Sequence, residues 1–190
     1  MRLPASGTAY LGAMDAQSKP TSTEHAPYQG AYIALCPEGG LLAALQAADA
    51  HAAAVLGSIP EQSAGFRYAA GKWSMRDVVQ HLIDCERVFA YRALRFARRD
   101  GTGLPGFDED SYATEAHADA RPWTDLLAER AVVRQGTLHL FRSLSDEALV
   151  RSGQANGQAM SVRALGWCIA GHERHHLRIL QERYLPHVQA

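Results

Sequence analysis

Gly171-His172-Glu173-Arg174-His175-His176 brings three of the chain's nine histidines into five positions. At about 100° per residue, Val162, Leu165, Ile169, Ile179 and Leu180 share one face of a helix, and His172 and His176 fall inside that face. Imidazoles four residues apart stand one turn above each other and can reach a single divalent cation. The alternative is a pair of surface histidines near a helix end, where positive charge suits the helix dipole. Three features favour the metal: the pair lies on the apolar stripe, Gly171 permits close approach, and His81 occupies a similar place at the edge of another apolar stripe. His175 lies roughly 100° or more from the stripe centre and stands outside the donor set.

Three neutral imidazoles leave metal positions open for a water or a substrate, which a metal would acidify. Glu173 falls near the inward face and is the candidate catalytic carboxylate, accepting a proton or orienting a ligand. Its alternative is a helix ion pair with Arg174 or Arg178. Asp84 and Glu86 read as partners for arginines such as Arg87 or Arg163. The same stretch fits His-Glu-x-x-His. Proteolysis is nevertheless disfavoured, because no strand edge is evident to hold an extended peptide. Cys85 and Cys168 read as inert core thiols, and Trp73, Trp123 and Trp167 as packing residues.

These side chains need long helices to position them. A first helix is expected over roughly Leu41 to Leu56. Ser74 caps a second, with Asp77 at the reciprocal capping-box position, running to about Arg99. Asp100 to Arg121 carries no periodic pattern, and a connection of about 20 residues in a compact domain is a crossover, a lid or both. A third helix follows Pro122 to about Leu144, Ser145 to Arg151 forms one short turn, and Gly153 to Met160 reads as a polar linker. Ser161 caps the last helix, which reaches about Leu185. The expected class is all-α: a four-helix bundle with a long crossover between its second and third helices. Residues 1–26 read as a flexible arm and 27–187 as the domain.

A net charge of −1 with no basic block argues against nucleic acid as a partner. Cys36, Cys85 and Cys168 form no Cys-x-x-Cys pair, so a disulfide framework and a zinc ribbon are both disfavoured. A reducing cytoplasm fits best. No signal peptide and no membrane-spanning run of about 20 apolar residues is visible.

The chain resembles the DinB/YfiT-like metalloenzymes. The resemblance is carried by Gly71-Lys72-Trp73-Ser74-Met75-Arg76-Asp77-Val78, His81-Leu82-Ile83-Asp84-Cys85-Glu86-Arg87, Leu104-Pro105-Gly106-Phe107-Asp108-Glu109-Asp110, Ser161-Val162-Arg163-Ala164-Leu165 and Gly171 to His176. It extends over about residues 25–187. It implies a four-helix bundle, often a homodimer, with a divalent metal on His81, His172 and His176. It also implies a small-molecule substrate, with a low-molecular-weight thiol activated as in thiol transferases, or a water as in hydrolases. A non-catalytic, stress-related metal-binding or scaffold protein is the alternative. Imidazole ligands leave zinc, nickel, iron, copper and manganese open. An arginine such as Arg92 or Arg163 in the pocket would favour an anionic substrate.

Overall fold

Ser74 turns an extended segment into a helix by the reciprocal cap its sequence predicts. Its hydroxyl accepts from the Asp77 amide at 3.1 Å and the Asp77 carboxylate accepts from the Ser74 amide at 2.9 Å. In the computed structural model, which describes residues 15–188, this is the start of α3 (Met75–Ala97). It follows α1 (Gln29–Ala34) and α2 (Leu41–Gly57). The chain continues through α4 (Glu109–Ala116), α5 (Trp123–Arg142) and α6 (Asp146–Leu149). A hairpin of β1 (Ser152–Ala155) and β2 (Gln158–Ser161) then leads into α7 (Val162–Ile179), which continues as a wider turn through Tyr184.

The four long helices α2, α3, α5 and α7 form the expected bundle. α7 packs against α2 and α3, and α5 packs against the same two, which closes the ring. On α2 the buried positions Leu41, Leu45, Ala48, Ala52 and Leu56 recur at helical spacing, and the alanines let neighbouring backbones approach. The apolar interior is in two parts. One surrounds Leu45, Phe96, Phe141 and Trp167, and the other surrounds Met75, Ile83, Leu126 and Leu177. Charged residues near the middle of all four helices lie between them, as described below.

Two segments differ from the sequence reading. Residues 153–160 form most of a hairpin rather than a linker, with Ser152 paired to Ser161 and Ala155 to Gln158. Its turn, Asn156-Gly157, puts both residues at positive φ, the conformation a tight two-residue hairpin turn requires. The crossover between α3 and α5 is not structureless either. Asp108 caps α4 by accepting from the Ser111 amide at 2.8 Å, and Leu104 bridges to the hairpin through the Gln154 carbonyl and the Asn156 amide.

The expected arm is also corrected where it is described. Residues 15–26 are docked on α2, β2 and α7, whereas residues 1–14 lie outside the described residues. The Leu41 amide donates to the Gln17 carbonyl at 2.9 Å, the Trp167 indole donates to the Ser18 carbonyl at 3.1 Å, and the Ser161 amide donates to the Glu24 carbonyl at 2.9 Å. Arg163, 1% exposed, donates to Glu24 Oε2 at 2.7 Å. Burial would raise the Glu24 carboxyl, but hydrogen bonds from Arg163, Thr21 and Ser161 outweigh it and hold it at about 2. A depressed carboxylate stabilises the fold above its unfolded value and loses that contribution as pH falls through its folded value. Between pH 5 and pH 2 the protein should therefore lose about 2 kcal/mol through Glu24, after allowance for solvent screening. Denaturant unfolding across that range should show a shallower pH slope in Glu24→Gln; equal slopes would contradict this account.

Candidate metal centre

His81 on α3 and His172 and His176 on α7 meet inside the bundle. His172 Nε2 lies 3.1 Å from His81 Nε2 and 3.0 Å from His176 Nε2. The three rings sit roughly edge to face, with centroids 4.5–5.0 Å apart. One donor nitrogen from each falls within 4.8 Å of the others. Burial holds the His81 imidazole down at about 4 and His176 at about 3. Burial first, and then the neighbouring imidazoles, push His172 well below the ordinary value. All three are therefore neutral at pH 7.

A neutral imidazole nitrogen offers one in-plane position, either an N–H or a lone pair. His172 Nε2 faces two partner nitrogens at once, so hydrogen bonding alone leaves one approach poorly satisfied. A cation shared by three lone pairs removes the conflict, so this donor set fits a divalent metal.

The placement of the three side chains follows from local chemistry. The Ser74–Asp77 cap sets the start of α3 two turns before His81. Ser161 caps α7 through the Ala164 amide at 3.1 Å. At Gly171 the backbone of α1 lies directly on α7, where any Cβ would overlap the Tyr32 carbonyl. This is the close approach that the glycine permits. It brings the Tyr32 ring to 5.3 Å from His172 and 5.1 Å from His175. Gly171→Ala should force α1 away at a cost of about 2 kcal/mol, the usual scale for overpacking. A thermal melt indistinguishable from wild type would show that α1 is free to shift.

Glu173 is placed apart from the histidine nitrogens. Its Oε1 accepts from Arg130 Nε at 2.8 Å and its Oε2 from Arg134 at 2.9 Å. Burial pushes this carboxyl up and the two guanidiniums pull against it. The partners are on α5, not the Arg174 or Arg178 of its own helix. Glu86 is likewise held by Arg134, through two bonds at 2.8 Å, rather than by Arg87 or Arg163. Arg130 also reaches Asp49 on α2 at 3.0 Å, and Arg134 donates to the Leu45 carbonyl at 3.1 Å. This network ties together the four long helices beside the histidines.

A cavity of about 360 Å³ opens on the three imidazoles. Its walls include Tyr28 and Tyr32, Trp73, Phe89 and Phe107, with Asn156 at the hairpin turn. Trp73, expected to be packing alone, stacks obliquely on His81 at 4.8 Å. His175 also borders the cavity, with its ring 5.2 Å from that of His176. Cys85 lies against His81 and burial lifts its thiol to about 12, so it is inert at neutral pH. Of the two arginines considered for the pocket, Arg92 lines it and Arg163 does not, being committed to Glu24. The aromatic walls come from several distant elements and left no local signal in the sequence.

A family model described as the DinB superfamily matches residues 44–180, more than half of the chain. The chain belongs to the DinB superfamily. A relative from Oceanobacillus iheyensis, provisionally named a metal-dependent hydrolase, is 28% identical over 131 residues, covering 63% of this chain and 69% of its own. Among solved structures, YfiT from Bacillus subtilis matches this DinB-superfamily chain with a TM-score of 0.67 and 16% identity, over 90% of this chain and 97% of YfiT. It is described as provisionally a metal-dependent hydrolase with an unusual four-helix bundle topology. The colibactin self-resistance protein ClbS matches with a TM-score of 0.56 and 17% identity, over 75% of this chain and 94% of ClbS; it was solved in complex with double-stranded DNA. ClbS overturns the exclusion of nucleic acid drawn above from net charge. A whole-chain sum is the wrong quantity, since binding to phosphates depends on how cations are distributed locally. Among the described residues no helix is long and apolar enough to cross a membrane.

Proposed function

We propose that this DinB-superfamily protein is a metal-dependent enzyme that binds one divalent cation through His81, His172 and His176 and acts on a small molecule in the adjoining cavity. The observation that carries this reading is the convergence of three neutral imidazole nitrogens at the floor of an aromatic-walled cavity. A divalent cation there would supply Lewis acidity, lowering the pKa of a nucleophile brought to it. The protein's own part is to hold the imidazoles neutral, narrow the approach with Trp73, Phe89 and Tyr32, and seat the substrate against them. Glu173 is a positioning residue in this reading: its carboxylate anchors α7 to α5 one residue from His172. The names of the relatives support hydrolysis, with water as the nucleophile.

A second reading, transfer to a thiol, is favoured by one feature. Glu173 is committed to two arginines, so it is not free to deprotonate a water, whereas a thiol needs less help to ionise near pH 7. Three buried free cysteines suit the reducing compartment in which a small thiol would be abundant. Zinc-, nickel-, iron- and manganese-loaded protein should be assayed on activated esters without thiol, and on an aryl halide with cysteine or glutathione. Ester turnover independent of thiol and lost in His81→Ala supports hydrolysis. Turnover that rises with thiol concentration supports transfer, and none in either assay with metal bound would point to the non-catalytic role.

A further inference from the structure

Among the described residues one permanent cation lines the cavity beside the histidines, and no carboxylate pairs with it. Arg92 follows His81 by eleven residues on α3, which returns it to nearly the same helix face. It is 4% exposed. One terminal nitrogen donates to the Pro105 carbonyl at 2.7 Å, and the guanidinium carbon lies 5.9 Å from the ring centres of both Phe89 and Phe107. Its other N–H groups have no protein acceptor among the described residues. The buried arginines Arg130, Arg134 and Arg163 each have a carboxylate within 3.0 Å. Among the described residues Arg92 has none, although Glu109 also borders the cavity; that residue is exposed and makes no ion pair with it.

A guanidinium stays charged even where burial opposes it. Desolvating one without a counter-ion is costly, and a ligand anion would offset that cost. We propose that Arg92 recognises the carboxylate of a small substrate whose reactive end lies at His81, His172 and His176. This rests on the reading of the cavity as the substrate site. A carboxylate fits better than a phosphate because Arg92 is the one arginine or lysine among the described lining residues, which matches a single negative charge. The planar fork of arginine also matches carboxylate geometry. The Cα atoms of His81 and Arg92 are about 16 Å apart along the helix, and the arginine side chain leans back toward the N-terminus, shortening the span. Phe89 and Phe107 between them provide walls for an apolar or aromatic body.

The test uses full-length, metal-free protein, so that no anion can be held by a metal. Titration calorimetry would compare 3-phenylpropionate with its neutral amide, 3-phenylpropionamide. The acid should bind at least tenfold more tightly than the amide to wild type. Arg92→Gln should abolish that preference, and Arg92→Lys, which keeps the charge but loses the fork, should reduce it at least threefold. Far-UV circular dichroism checks folding, and if Arg92→Gln does not fold the lysine variant decides the matter. Equal binding of acid and amide to wild type, or an undiminished preference in a folded variant, would overturn the assignment. So would displacement of the propionate by inorganic phosphate at tenfold lower concentration than by acetate. Acid preference without metal uptake would sink the metalloenzyme reading alone, and metal uptake without acid preference would sink the Arg92 assignment alone.

Discussion

Arg134→Met is expected to cost about 3–5 kcal/mol of folding stability, the range for removing one partner of a buried ion pair. Arg134 is fully buried and donates to both oxygens of Glu86, to Glu173 and to the Leu45 carbonyl. Removing it leaves two buried carboxylates without their shared cation. Arg130 still reaches Glu173 and Asp49, which limits the damage at one end. Among the described residues Glu86 has no such reserve. Urea unfolding at pH 7 measures the loss, and a change below about 1 kcal/mol would show that the network contributes little beyond packing. The more telling comparison replaces Arg134 and both carboxylates together with apolar residues. Arg130 keeps its partner Asp49 in that variant, and buried ion clusters exchanged for hydrophobic side chains are often neutral in stability. If the triple variant is stable but binds metal about tenfold or more weakly, the network's role is to orient α7 and thereby His172.

His172→Ala is the second large effect, and its size depends on metal. In metal-free protein the substitution removes the imidazole that faces two others at 3.0–3.1 Å, so little stability should be lost. With zinc at about 100 times the wild-type dissociation constant, wild type should gain about 2.7 kcal/mol from ligand linkage. The variant, left with two donors, should gain almost none. Thermal melts with and without zinc give both numbers. A zinc shift of equal size in wild type and His172→Ala would place the metal elsewhere.

The parts of this molecule legible in the sequence were those set by neighbours within a turn or two. Ser74 and Asp77, three residues apart, announce the start of α3, and the i, i+4 histidines on the apolar stripe of α7 announce the α7 part of the histidine cluster. The apolar periods of α2, α3, α5 and α7 placed the bundle, because a core-facing stripe repeats locally. What the sequence did not disclose depends on distant partners. Glu173 read as a candidate catalytic carboxylate or as the partner of an arginine on its own helix, yet Arg130 and Arg134, about forty positions away, meet it only after the bundle closes. The docking of residues 15–26 has the same cause, since Glu24 and Arg163 become partners across 139 positions. α4 escaped notice because none of its residues is buried, which left no stripe to read. The hairpin is different: its Asn156-Gly157 turn signal was present, but each flanking strand has only four residues and shows no clear alternation.

The account stands or falls on whether His81, His172 and His176 hold a metal together. Elemental analysis of protein purified without a histidine tag tests this directly, on wild type beside His81→Ala and His172→Ala. About one equivalent of divalent metal in wild type, lost in both variants while circular dichroism stays unchanged, is the predicted result. No metal in wild type after reconstitution with zinc, nickel, iron and manganese, or full retention in either folded variant, would contradict it.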